Sequence, residues 1–299
     1  MDSDWLTTDF KKSLLSNRKI IPLVERVLIK DNIDNDIARD RLHFHPSSIC
    51  KRDWCPRSSW YDAKGYDRPA ETYSFNKLNI FAEGHAIHDK WQDWLKRAGI
   101  LKGRWSCDEC GNPWVSTSPD SCPQCQSLRF RYTEVPIRND DFNILGHADG
   151  IIVLDKEYIL EIKSVGIGTV RMEDYEMFME YQNGGKSIDE LWKSIRRPFA
   201  SHLRQVNLYM YCLDIKDAII LYEWKPTQDV KEFHVKYQPE MVEDILSACA
   251  MLTRAVESSV PPLRPTWVES SSSKVCKTCP YKAVCWKDDN ETDTTESNK

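Results

Sequence analysis

Apolar residues recur along this chain with two different periods. Ile87, Trp91, Leu95 and Ala98 fall three or four apart, the spacing of one helix face, and predict a helix over Phe81–Ala98 that Gly99 stops. Similar spacing predicts helices across Ser201–Leu213 and from about Pro239 to Ser258, and another around Leu14–Leu28. Extended patterns occupy Asn143–Leu154 and Glu157–Lys163, two strands joined by a short turn at Asp155-Lys156. Two more strands, Ala218–Lys225 and Glu232–Tyr237, flank a Pro226–Asp229 turn. The stretch holding Gly184-Gly185 reads as a loop, and Pro261, Pro262 and Pro265 break the chain near its end. Residues 104–130 follow neither period. They are rich in Ser, Pro, Gly and Cys and read as an inserted module.

Together these elements predict an α/β fold, a central mixed sheet flanked by helices. The expected organisation is an N-terminal helical region over 1–44 and a main domain over 45–286 that carries the 104–130 insertion. A disordered acidic tail is expected over 287–299. Of 299 residues, 41% are hydrophobic, 11% aromatic and 29% charged, enough apolar surface for a packed core and unlike a disordered chain. No apolar run approaches the ~18–20 residues of a membrane span. The start, Met1-Asp2-Ser3-Asp4-Trp5, has no basic-then-apolar leader, so a cytoplasmic protein without membrane contact is expected. The net charge of -5 lacks the basic signature of a nucleic-acid binder. Five acids and one lysine in Asp288–Lys299 contribute -4 of it, however, leaving a body at -1 that can carry a basic groove.

Cysteine changes the picture most. In a reducing compartment eleven cysteines are not a disulfide set, and clustered ones read as metal ligands. Cys107-x-x-Cys110 and Cys122-x-x-Cys125, with Gly111 and Pro123 at turn positions, can deliver four thiolates tetrahedrally to a structural Zn²⁺. Arg104, Trp105, Trp114, Arg129 and Arg131 beside this ribbon permit contact with DNA. Cys276, Cys279 and Cys285 form a second group that lacks a fourth ligand, for which Cys50 and Cys55 are the upstream candidates. Four thiolates there serve a 4Fe–4S cluster or a second zinc equally well. Cys212 and Cys249 sit in apolar helical patterns and read as packing residues.

Side chains alternate along a strand, so Glu161 and Lys163 share one face, Leu160 and Ile162 the other, and His147, Asp149 and Ile151 a face of the preceding strand. A hairpin brings Asp149 beside Glu161, two carboxylates with a lysine adjacent. That set suits a hard cation, Mg²⁺ or Mn²⁺, that polarises a phosphodiester while Lys163 positions water or stabilises developing charge. Taken alone, an Asp…Glu-x-Lys pattern is common among solvent-facing strand residues.

Its surroundings are more specific. Gly84-x-x-x-His88 on a helix, Gly146-His147-Ala148-Asp149, Glu161-Ile162-Lys163, and Gln205-x-x-x-Tyr209 on a later helix follow one another in order. Here the sequence resembles the PD-(D/E)XK nuclease superfamily, its RecB-type branch with CRISPR-associated relatives, from about residue 45 to 286. The resemblance implies a restriction-endonuclease-like sheet, with Asp149, Glu161 and His88 as metal ligands and Lys163 as the catalytic lysine. It implies Gln205 and Tyr209 as accessory residues near the DNA and the active centre. It selects His88 over its competitors His85 and His147, and Cys55, in Cys55-Pro56-Arg57, as the fourth ligand of a C-terminal 4Fe–4S cluster, with Cys50 its rival. The function it implies is metal-dependent hydrolysis of DNA, as an exonuclease in phage or bacterial recombination, repair or replication, with proteins of those processes as further partners. The competing expectation is a DNA-end binding or assembly module with a vestigial nuclease centre.

Overall fold

The computed structural model describes residues 18–38, 40–69 and 71–287. The expected acidic tail after Lys287 lies outside the described residues. Among those described, no helix is long and apolar enough to cross a membrane.

The chain divides into two compact units, one of residues 1–40 and 67–85, the other of residues 41–66 and 86–299. The first unit contains helix α1 (Ile21–Ala38), which runs well past the expected end at Leu28. Residues 14–17 of the expected helix fall outside the described residues. Where the apolar pattern of α1 fades, polar bonds to the second segment take over. Asp36 is buried and accepts from Arg68 Nη2 at 2.8 Å and from the Glu71 N–H at 2.9 Å, while Asn32 Nδ2 donates to the Glu71 carbonyl at 2.6 Å.

The second unit carries the short helices α2 (Pro46–Ile49) and α3 (Pro56–Ala63) and, from Ala86 on, most of helix α4 (Phe75–Arg97). Seven strands follow: β1 (Leu101–Cys107), β2 (Pro113–Thr117), β3 (Phe130–Tyr132), β4 (Val135–Asn139), β5 (Ile144–Ala148), β6 (Gly150–Val153) and β7 (Glu157–Val165). Helices α5 (Ile167–Glu173), α6 (Tyr175–Gln182), α7 (Ile188–Ser194) and α8 (Ala200–Leu213) lead to strands β8 (Asp217–Trp224) and β9 (Val230–Lys236). Helices α9 (Glu240–Ser258), α10 (Lys274–Lys277) and α11 (Lys282–Cys285) close the chain. The main sheet has the order β2-β1-β6-β7-β8-β9, with β3 also on β1, and β4-β5 form a second, two-stranded sheet. Among the described residues of this sheet, β7 and β8 pair in parallel and the remaining strand pairs are antiparallel, which makes it mixed.

Parallel β7 is covered on both faces, as such strands usually are. Leu160 and Ile162 pack with Ile87, Leu101, Trp105 and Leu221 on one side. Ile159 and Val165 pack with Val206, Tyr209 and Met210 of α8 and Trp192 of α7 on the other. A third cluster joins Ile49 and Trp60 to Ile245, Leu252 and Tyr281, tying the start of this unit to its end.

Three differences from the sequence reading bear on the site. The expected strand Asn143–Leu154 is two strands in two sheets, β5 and β6, with Asp149 at the break. The region taken as a loop around Gly184-Gly185 is mostly helical, and α7 begins with a capping box in which Ser187 accepts from the Glu190 N–H while Glu190 accepts from the Ser187 N–H. Strand β1 is continuous, pairing with β6 at Leu101–Lys102 and with β2 and β3 through Cys107, so the cysteine-rich module grows out of the main sheet.

Candidate active site

The change of sheet at Asp149 is what aims its carboxylate. Beyond the last β6–β7 pair, Gly150 with Leu160, the chain turns away, and Asp149 Oδ2 reaches across to accept from the Ile162 N–H at 2.5 Å. Its carbonyl accepts from Tyr132 Oη at 2.9 Å and Gln92 Nε2 at 3.2 Å. Gly150 permits the close approach: a Cβ there would lie 2.6 Å from Leu101 Cδ1 and 3.0 Å from Tyr132 Oη, so those side-chain ends would have to shift. His88, one turn before Gln92 on α4, sets Nδ1 3.0 Å from Asp149 Oδ1.

Glu161 and Lys163 share the α8-facing side of β7. Glu161 is 2% exposed and its Oε1 pairs with Lys163 Nζ. Lys163 Nζ donates to Gln205 Oε1 at 3.2 Å, and Gln205 Nε2 donates to Tyr209 Oη at 2.7 Å, so the i, i+4 pair on α8 forms one chain of bonds ending at the lysine. Burial pushes the Glu161 carboxyl up, with Asp149 adding to the effect and Lys163 opposing it. Burial also disfavours charge on His88 and Lys163, but the carboxylates of Asp149 and Glu161 outweigh it and raise both.

The structure thus brings His88 and Asp149 into contact, and Glu161, Lys163, Gln205 and Tyr209 into a linked row beside them. His85 is exposed and falls in the first unit. The expectation that His147 shares a face with Asp149 is corrected: the strand break separates the two, and His147 is exposed beside Arg104 and Pro136.

One residue escaped the sequence reading. A ligand atom of Glu134 lies within 4.8 Å of those of His88 and Asp149, a group in which Glu161 does not take part. Glu134 sits between β3 and β4 with φ of 62°, and Gln92 Nε2 donates to its Oε1 at 3.4 Å. Burial, and then the charge of Asp149, hold its carboxyl above the usual range. One imidazole and two carboxylates are a fitting donor set for a hard divalent cation.

The two cysteine groups differ in geometry. The thiol sulfurs of Cys107, Cys110, Cys122 and Cys125 all lie within 4.8 Å of one another, with 3.5 Å from Cys107 to Cys125 and 3.7 Å from Cys110 to Cys122. Tetrahedral thiolates around one ion at ~2.3 Å sit about that far apart. Gly111, at φ of 69°, makes the first knuckle's turn. Burial opposes ionisation of Cys122, but backbone N–H groups and neighbouring thiols bring it down to about 7. Cys55, Cys276, Cys279 and Cys285 instead surround a cavity of about 140 Å³ and do not form so tight a group. A cubane, with a thiolate bond radiating from each iron, spreads its ligands wider than a single ion does, so this donor set fits a cluster. Cys50 is not among the cavity's lining residues; it is buried near Glu161 and Lys163, where desolvation pushes its thiol up to about 12. Cys55 is thus the upstream cysteine that lines the cavity with Cys276, Cys279 and Cys285.

No protein-family profile matches the sequence, and no curated protein does. Among solved structures, SSO0001 superposes with a TM-score of 0.40 at 13% identity, over 88% of this chain and 96% of the other. The alkaline exonuclease LHK-Exo from Laribacter hongkongensis superposes with a TM-score of 0.38 at 9% identity, over 78% of this chain and 93% of its own. Its complex with dAMP gives 0.41 at 8% identity, over 77% and 93%. These scores lie below the level at which a shared fold is established.

Proposed function

We propose that this chain is a divalent-metal-dependent deoxyribonuclease of the PD-(D/E)XK superfamily, working as an exonuclease on DNA ends or single strands in phage or bacterial recombination, repair or replication. The observation that carries this reading is that Asp149, at the β5–β6 break, contacts His88 and lies near enough to Glu161 to raise its carboxyl, while Lys163, paired with Glu161, is held by Gln205 of α8. His88, Asp149 and Glu161 are the residues that would hold Mg²⁺ or Mn²⁺, which when bound supplies Lewis-acid polarisation of the phosphodiester and a more acidic water. Lys163, kept charged by two carboxylates, donates to the attacking water or to the charge that develops on the phosphate. Gln205 fixes that ammonium and Tyr209 fixes Gln205. Cys107, Cys110, Cys122 and Cys125 hold structural zinc in this reading, and Cys55, Cys276, Cys279 and Cys285 a 4Fe–4S cluster, with the reducing cytoplasm as their compartment.

End-labelled single- and double-stranded DNA, incubated with Mn²⁺ or Mg²⁺, tests the reading. Wild type should shorten the substrate, EDTA should stop it, and Asp149→Ala, Glu161→Ala and Lys163→Ala should each lose at least ~10²-fold in rate. Cleavage that survives EDTA, or an active Glu161→Ala protein, overturns it.

A further inference from the structure

Glu134 occupies a backbone conformation that non-glycine residues rarely take, and its surroundings show what maintains it. The Thr133 N–H donates to the Arg104 carbonyl at 2.9 Å, Thr133 Oγ1 donates to the same oxygen at 3.1 Å, and the Arg104 N–H donates to the Glu134 carbonyl at 3.2 Å. Arg104 lies on β1, and Thr133 directly follows β3. Both strands lead straight to the thiols: β1 ends at Cys107, which pairs with Phe130 at the start of β3, and Cys125 stands shortly before that strand. Trp105, 1% exposed, packs edge-on against Phe130 and Tyr132 and locks the pair, and Tyr132 extends its hydroxyl to the Asp149 carbonyl. The four-cysteine module and the Glu134 carboxylate are therefore two ends of one short, packed hairpin.

At the carboxylate end, the charged groups that oppose the burial of Glu134 are the imidazoles of His88 and His147. Among the described residues Glu134 forms no ion pair, and its one side-chain hydrogen bond comes from the neutral Gln92. Glu134 and Asp149, two carboxylates held partly out of water, lie with His88 inside one 4.8 Å group, and Lys163, which offsets Asp149, forms no ion pair with Glu134. A cation shared by all three resolves that arrangement, since hard divalent ions take oxygen and imidazole donors together.

We infer that Glu134 is a further ligand of the divalent cation, beside His88 and Asp149, and that the four-cysteine module holds it there through β1 and β3, so that the ion on the thiols and the ion at the active site are coupled. This rests on the metal-dependent reading above and adds a ligand and a control to it.

Direct Mn²⁺ binding to the full chain, without DNA, tests it by the electron-paramagnetic signal of the free ion. Wild type, Glu134→Gln, Cys110→Ser, the Glu134→Gln/Cys110→Ser double variant and Asp149→Asn are compared. Glu134→Gln keeps the shape and the backbone, and Cys110 is exposed, so both variants spare the core. Each single change should weaken Mn²⁺ binding by about tenfold or more, the scale for loss of a metal's supporting groups. The double variant should bind no more weakly than the weaker single one, because both changes remove the same contact. Wild-type affinity in Glu134→Gln removes Glu134 as a ligand. Losses that add in the double variant show that the module acts elsewhere and overturn the coupling. If Cys110→Ser misfolds, Cys125→Ser takes its place, and the same comparison applies. The parent reading fails separately: wild type or Asp149→Asn would then show no difference in Mn²⁺ binding, and EDTA would leave cleavage untouched.

Discussion

Lys163 is held by unlike partners, a buried carboxylate on its own strand and an amide on α8, and each constrains a different property of the ammonium. Glu161 raises its affinity for the proton, whereas Gln205 sets its direction. The Gln205 amide is itself oriented by Tyr209, because an amide whose Nε2 donates to the phenol must turn Oε1 toward the lysine. Tyr209→Phe should therefore slow single-turnover cleavage by roughly 5–10-fold, the worth of one hydrogen bond, with unchanged Mn²⁺ affinity. Gln205→Ala should cost more, since it removes both contacts; equal rates for wild type and Gln205→Ala would refute the positioning role. Glu161 and Lys163 share a face of β7 as alternation along one strand predicts, whereas His88, Gln205 and Tyr209 were singled out only through the motifs of the resemblance, since a lone helical histidine or a Gln-x-x-x-Tyr carries little signal of its own. Glu134 was not singled out at all. Its position depends on a left-handed backbone turn and on strand pairing that no local spacing encodes. Cys50, likewise, could be separated from Cys55 only once packing had carried one toward Lys163 and the other toward Cys279.

At the scale of elements, β8 enters the sheet through a buried acid. Asp217 is 6% exposed and accepts from Lys156 Nζ at 2.6 Å, His234 Nε2 at 2.7 Å and Lys236 Nζ, which joins the β6–β7 turn and β9 to the start of β8. Burial alone would raise its carboxyl; hydrogen bonds from the two lysines and from His234 outweigh it and hold the group well below its ordinary 3.8. Because the folded value is depressed, the stabilisation is complete above about pH 4 and is lost as pH falls toward the folded value. Asp217→Asn should lower stability at pH 7 by about 1–3 kcal/mol. It should also flatten the loss of stability below pH 4 in denaturant titrations. A variant whose acid limb coincides with wild type would show that Asp217 carries none of it. Strands β7, β8 and β9 and helices α8 and α9 were readable to within about two residues from their apolar periods, whereas β1–β4 were not predicted, α1 runs on to Ala38 and α4 begins at Phe75. The break at Asp149 was missed although Asp149-Gly150 is a turn-marking pair, because the extended pattern resumes at once on its far side and the two halves differ in their partner strands. The helices over 167–194 were missed for a different reason. They are short, and their signal was the Ser187-x-x-Glu190 cap, with the paired glycines between α6 and α7 drawing the reading toward a loop.

Across the second unit, the termini are fastened by contacts that converge on the second cysteine group. Tyr281 Oη donates to Asp62 at 2.7 Å and stacks on Tyr61, Trp60 Nε1 donates to the Ala255 carbonyl at 3.0 Å, and Arg57 Nη1 donates to the Pro262 carbonyl at 3.1 Å. A cluster joining Cys55 to Cys276, Cys279 and Cys285 would add a covalent-strength tie to this seam, and its loss would return the entropy of a very long loop to the unfolded chain. Anaerobically purified protein should be brown. Cys279→Ser should bleach it and lower its melting temperature, while Cys212→Ser, at a packing position, should leave the colour intact. Iron-free, colourless protein with two zinc ions per chain would replace the cluster with a second zinc.

The continuity of β1 also fixes where this protein can be cut and rejoined. Deleting residues 104–130 takes away Arg104 and Trp105 and strands Tyr132 without the strand it leans on. A shorter excision, from Asp108 to Arg129, leaves Cys107 and Phe130 as the two ends of an intact hairpin, already opposite each other in register. The exchangeable cassette is thus the two knuckles together with edge strand β2, whose pairing with Lys102–Ser106 and the bond from Trp105 Nε1 to the Ser116 carbonyl go with it. A foreign loop grafted at that seam would inherit a mount on β1 and β3 that runs back through Arg104 and Thr133 to Glu134.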